Sequence, residues 1–142
     1  MKSSLEILRD TIRDHLRSIG DLKCADIYSD CDGPVRGGKA LGIDICVVSP
    51  MPTKVSKYAA GTTFSEVEIA VRVLRHNDIA SRVPGEIFFC EMVSRSLHNW
   101  IPPLKCGYGK VVLAETSPWK TLESSEMSSL IELTFKTQSL VQ

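Results

Sequence analysis

The stretch from residue 63 to 75 constrains this chain more than any other. Val67, Ile69, Val71 and Val73 alternate with Glu66, Glu68 and Arg72, so an extended backbone would put the apolar set on one side and the charged set on the other. A helix would scatter the same residues around its axis. The segment therefore reads as one long, half-exposed strand, which needs paired neighbours at its edges and an apolar layer over one face.

Helices to supply that layer are visible on either side. Ser3 and Glu6 form an S-x-x-E capping box, and Leu5, Leu8, Ile12, Leu16 and Ile19 follow at steps of three and four, ending at Gly20. On the other faces of this helix Glu6 precedes Arg9, Asp10 precedes Arg13 and Asp14 precedes Arg17, each by three residues, which predicts a solvated, self-paired surface. Pro84 suits the first turn of a second helix that runs to about Asn99. Ile87, Cys90, Val93, Leu97 and Trp100 are expected to face inward, and Pro102 and Pro103 prevent continuation.

Further strands are expected at 24 to 29, at 41 to 49 with Leu41, Ile43, Ile45 and Val47 on one face, at 110 to 116, and at 129 to 137 with Ile131, Leu133 and Phe135 on one face. The connections at 50 to 62 and 117 to 128 are longer than compact hairpins need and are read as functional loops. The order α-β-β-β-α-β-β predicts an α+β fold: two helices packed on a mixed, largely antiparallel sheet of about five strands with long hairpin loops, in a single domain over residues 1–142.

Composition narrows the function classes. Seventeen Lys plus Arg balance seventeen Asp plus Glu, so no net field draws the chain to a polyanion. Four Phe, three Tyr and two Trp do not interleave with a basic stripe, and no specific nucleic-acid partner is expected. No apolar run reaches the length of a membrane span, and Met-Lys-Ser-Ser-Leu-Glu lacks the apolar stretch of a signal peptide, so no membrane partner and a cytoplasmic setting are expected. The five cysteines, Cys24, Cys31, Cys46, Cys90 and Cys106, are odd in number and form no C-x-x-C pair. Neither a disulfide framework nor a zinc site is expected, and Cys46 and Cys90 read as small apolar residues.

The most tempting motif is Gly33-Pro-Val-Arg-Gly-Gly38-Lys39-Ala40, which fits G-x-x-x-x-G-K but has Ala where a phosphate-binding loop needs Ser or Thr to hold magnesium. It also leads into an alternating strand and not into a helix whose N-terminal amides could hold phosphate. Asp26, Asp30, Asp32 and Asp44 cluster in sequence, but Asp30 and Asp32 sit in a Ser-Asp-Cys-Asp-Gly-Pro turn, where Asp is favoured for bonding its own backbone. No nucleophile elbow or H-E-x-x-H is present, and of the histidines only His98, near Trp100 at a helix end, stands out. No catalytic, cofactor-binding or metal residue is assigned, and no enzyme activity is expected. Candidate interface residues are Lys54, Lys57 and Tyr58 in the first long connection and Trp119 and Lys120 in the second. Trp119, beside Pro118, either folds back onto the sheet or anchors a subunit contact.

In the order and size of its elements the chain resembles the tail terminator and tail-completion proteins of long-tailed bacteriophages and prophages. The matching parts are the opening helix Leu5 to Ile19, the strand Phe64-Ser-Glu-Val-Glu-Ile-Ala-Val-Arg-Val, the helix ending Leu97-His-Asn-Trp100-Ile-Pro-Pro, and the last hairpin from Val111 through Trp119 to Leu133-Thr-Phe135-Lys-Thr. The resemblance implies a structural protein whose copies form a ring, typically a hexamer, that caps the tail tube, halts its polymerisation and offers a surface for head joining. It implies as partners the chain itself, the tail tube protein and a head-completion or neck protein. The implied location is the bacterial cytoplasm during assembly and then the virion tail. The Gly-rich 33 to 38 segment and the five cysteines depart from the family pattern. The alternatives are a head-to-tail connector or neck protein and, in another class, a small phosphate-binding or enzymatic domain using the Gly33 to Ala40 loop.

Overall fold

The computed structural model describes residues 2–33, 42–55, 64–76, 85–125 and 128–140. In chain order the elements are α1 (Ser4–Arg17), a 3-10 turn (Gly20–Leu22), β1 (Asp26–Ser29), β2 (Ile43–Val47), β3 (Met51–Val55), β4 (Phe64–His76), α2 (Glu86–Leu97), a second 3-10 turn (Leu104–Cys106), β5 (Val112–Leu113), β6 (Trp119–Ser124) and β7 (Ser128–Gln138). Helix α1 starts on the expected box: the Ser3 hydroxyl accepts the Glu6 N–H at 3.2 Å and the Glu6 carboxylate accepts the Ser3 N–H at 3.3 Å.

The sheet is organised by its two long strands. β4 and β7 run antiparallel in unbroken register from Glu66 opposite Gln138 to His76 opposite Ser128. Shorter strands flank each of them and change over partway along. On one side β3 pairs with Phe64 to Glu68 and β2 with Val71 to Arg75; on the other β6 pairs with Ser129 to Leu133 and β5 with Phe135 and Lys136. β1 adds in parallel outside β2. The ribbons β3 and β6 therefore lie at diagonally opposite corners.

The α+β class holds, with seven strands among the described residues where about five were expected and with the order α-β-β-β-β-α-β-β-β. Both extra strands arise inside the two long connections, at Met51–Val55 and Trp119–Ser124. Their side chains are exposed except for that of Trp119, so no alternating pattern betrays them; their structure comes from the backbone groups that β4 and β7 offer at their edges. Residues 56–63 of the first connection lie outside the described residues.

One face of the sheet forms the core. Val67, Ile69, Val71 and Val73 of β4, Leu133 and Phe135 of β7, and Ile45 and Val47 of β2 are fully buried under Leu8, Ile12 and Leu16 of α1 and Phe89, Cys90, Val93 and Leu97 of α2. Each such large apolar side chain contributes about 1.5–3 kcal/mol on leaving water. Leu5, Ile19 and Trp100 pack at the rim, and Leu41 lies outside the described residues.

The inward face of α2 differs from expectation at its start. Ile87 is 55% exposed and Phe89 is buried. Stepping back from Leu97 through Val93 and Cys90 by helical spacing leads to Glu86, which occupies the inward position and pairs with the buried Arg75 at 3.1 Å. All five cysteines are free; Cys90 is buried and Cys46 is half-buried in β2.

Candidate functional site

The structure separates the candidate interface residues. Lys54 is exposed on β3, its ammonium 3.7 Å from the Glu66 carboxylate of β4. Lys57 and Tyr58 lie outside the described residues. Trp119 opens β6 at the opposite corner. Its position opposite Leu133 turns the indole to the helix-covered side, where Nε1 donates to Ser94 Oγ at 2.9 Å and the ring packs on the core. Lys120 comes next, opposite Glu132, with its side chain exposed on the other side of the sheet.

The acidic residues near Asp30 do not converge. Asp30 accepts from the Ser49 N–H at 3.0 Å and from its hydroxyl at 2.9 Å, Asp32 accepts from Arg13, and Asp44 bonds His76 Nε2 at 2.7 Å. Turn placement explains why Asp occurs at 30 and 32: the Asp32 carboxylate bonds Ser29 of its own turn as well as Arg13 of α1, whereas the Asp30 carboxylate reaches Ser49 of another segment. Among the described residues no three His, Cys, Asp or Glu side chains are arranged to hold a metal.

These contacts also correct the reading of α1 as a solvated, self-paired surface at Arg9 and Asp10, whereas Asp14 and Arg17 are exposed and pair at 4.0 Å as expected. Arg9 and Asp10 are 4% and 8% exposed, and Arg9 joins Asp10 at 3.0 Å, Ser49 at 3.0 Å and Asp30 at 3.8 Å. Lys2 and Arg13 complete the cluster on Asp10. Helical spacing paired acids with bases along α1, but the turn after β1 and the end of β2 offer Asp30, Asp32 and Ser49 on the same side, so the charges clasp the helix to the sheet. Burial pushes the Asp10 carboxyl up, yet the hydrogen bonds from Lys2 and Arg9 and the charges of Arg9 and Arg13 outweigh it and hold the group below the usual carboxylate range.

Two further side-chain groups had no signal in the sequence. Tyr28, Asp44 and His76 meet on the face of the sheet away from the helices, with the phenol 3.4 Å from Asp44. Burial, reinforced by the Asp44 charge, pushes the phenol well up, so it is a fixed donor and not an acid that ionises near neutrality. His15 stacks on Trp100 with ring centroids 4.1 Å apart, tying α1 to the end of α2. His98 accepts the Leu113 N–H through Nδ1 at 3.0 Å. Burial pushes the Cys46 and Cys90 thiols up to about 11 and about 12, far from an activated thiolate.

An open groove of about 930 Å³ runs beside β5 over the uncovered face, bordered by Glu66, Glu68, Lys110, Glu115, Thr134 and Lys136. Its charges are mixed and hold no arrangement of nucleophile, base and orienting group. The Gly33 to Ala40 segment falls outside the described residues after Gly33, which adopts φ +71°. No helix among the described residues is long and apolar enough to cross a membrane.

What the described surface offers is therefore two exposed ribbons and an uncovered sheet face. The chain matches no protein-family model and no curated protein significantly.

Proposed function

We propose that this protein is a structural component of a long-tailed bacteriophage tail, forming a ring that caps the tail tube, stops its polymerisation and provides the surface to which the head joins. The observation that carries this reading is the placement of β3 and β6. They come from the two long connections and stand at diagonal corners of one rigid β4–β7 pair, so a single protomer presents two separate ribbons. A ring needs two different patches on each copy, because a heterologous contact must repeat around the axis. The β3 ribbon exposes Met51, Lys54 and Val55, with Met51 and Val55 at 65% and 63%. The uncovered face, with its mixed charges, suits the matching of a tube end and the refusal of a further tube subunit. The element order also supports the reading, as an N-terminal helix, a sheet with extended hairpins, a central helix and final strands.

The test has two arms. Mass in solution, measured alone and then with tail tube protein, is expected to rise to a ring-sized species only on addition of tube. A phage strain lacking the protein is expected to make tails of abnormal length that fail to join heads. Normal, infectious particles from that strain would remove the proposal.

A further inference from the structure

Among the described residues four strands border the sheet, and they differ in what their outer backbone can do. β1 is covered: Arg17 of α1 donates to the Ile27 carbonyl at 2.9 Å. β5 is two residues long. On β4 the Ser65 carbonyl accepts from Ser139 near β7, and the Ala70 carbonyl accepts from Val48 near β2. Odd-numbered residues of β4 thus aim their backbone groups at β7. Pro52 stands opposite Val67, so its nitrogen faces outward and the free edge of β3 lacks a donor at its second residue.

β6 has no such block. Thr134 of β7 accepts from Ala114 and donates to Pro118, so even-numbered residues of β7 point toward β5 and β6. Lys120 and Glu123, opposite Glu132 and Leu130, are bonded inward. Trp119, Thr121 and Ser124, opposite Leu133, Ile131 and Ser129, turn their N–H and C=O groups outward. Leu122 is the extra residue of a bulge and is 42% exposed.

We infer that this edge binds β6 of a second copy of the chain, antiparallel, about a two-fold axis at Thr121 and Leu122. With that centre Trp119 bonds opposite the partner's Ser124 and Ser124 opposite the partner's Trp119. The same register sets Lys120 against the partner's Glu123, and the symmetry makes the pair twice. The charges match only because of the bulge: in a regular strand, residues three apart face opposite sides, whereas the extra Leu122 returns Glu123 to the face carrying Lys120. Neither charge is engaged by an ion pair among the described residues: Glu132, across from Lys120, is held by Arg72 at 2.9 Å, and the Glu123 carboxylate accepts a hydrogen bond from the Ser128 hydroxyl at 3.1 Å. Leu122 is covered at the axis. An isologous contact closes at two copies, so this dimer is the state of the chain without its tube and stands apart from the ring.

Sedimentation equilibrium of the protein alone should give twice the mass of one chain. Thr121→Pro removes an outward donor and leaves the bonds to β7, so it should yield a folded monomer. Lys120→Glu should raise the dimer dissociation constant by a factor on the order of ten, and adding Glu123→Lys should restore it. Circular dichroism reports folding; if the proline variant unfolds, the charge reversal and its rescue still decide. A wild-type monomer at the highest soluble concentration, a ring-sized mass, or a dimer indifferent to Lys120→Glu would overturn the inference. Failure here with defective tails in the deletion strain would leave the tail proposal standing.

Discussion

The helix-covered side of the sheet and the β6 ribbon are built on the same ladder but obey different rules. Under the helices, side chains decide: β4 has a neighbour on each edge, its inner Val67, Ile69, Val71 and Val73 have no exposure, and every change of shape or charge is felt by the core. On β6 only Trp119 reaches inward, and the outer half of the backbone has no sheet partner among the described residues. One side is fixed by what it buries, the other by what it leaves unpaired.

The sharpest way to break this comparison is Val71→Asp, which puts a carboxylate among fully buried side chains and should destabilise the fold by about 4 kcal/mol or more. A urea midpoint near wild type would mean the two sides do not differ as described. Next is Arg9→Ala, which takes away the buried partner of Asp10 and should cost about 3 kcal/mol by chemical denaturation.

The same carboxylate sets an acid dependence. The folded Asp10 group titrates below its unfolded value, so its contribution is complete above the ordinary carboxylate range, about 3.9, and is lost as pH falls from there through the lower folded value. Unfolding midpoints followed across that window should fall less steeply in Asp10→Asn than in wild type. An identical slope would disconnect the clasp from stability.

Smaller effects sharpen the boundary between the regions. Trp119→Phe removes the bond to Ser94, whose hydroxyl in turn donates to the Cys90 carbonyl at 2.8 Å, and should cost about 1 kcal/mol in thermal or urea unfolding. Glu68→Gln, on the uncovered face of β4, should stay within about 0.5 kcal/mol of wild type in the same measurement. A larger loss there would show that the uncovered face is packed.

Much of the fold was legible because its strongest signals are periodic. Leu8, Ile12 and Leu16, the β4 valines, and Ile131, Leu133 and Phe135 lie where their spacing put them, since a side chain's face follows from backbone geometry alone. Ile87 did not, because the choice between neighbouring inward positions was made by the Arg75–Glu86 ion pair, which joins residues from separate elements. The candidate site was less legible: Trp119 was singled out, but nothing in its surroundings said which way it would turn. Lys54 and Lys120 stand at diagonal corners, a separation that emerges only from how strands pair.

The amino-acid sequence determined which residues are inward on α1, β4 and β7, where α1 begins, and that helices must cover one face of a sheet. These follow from repeat lengths and local capping, which act over a few residues. Only the tertiary structure decided that β3 and β6 are strands, that the charges of α1 clasp Asp30, Asp32 and Ser49, and which edge of the sheet has free donors. Such features depend on backbone groups and charges from distant segments meeting, and no local pattern encodes a partner that arrives from the other end of the chain.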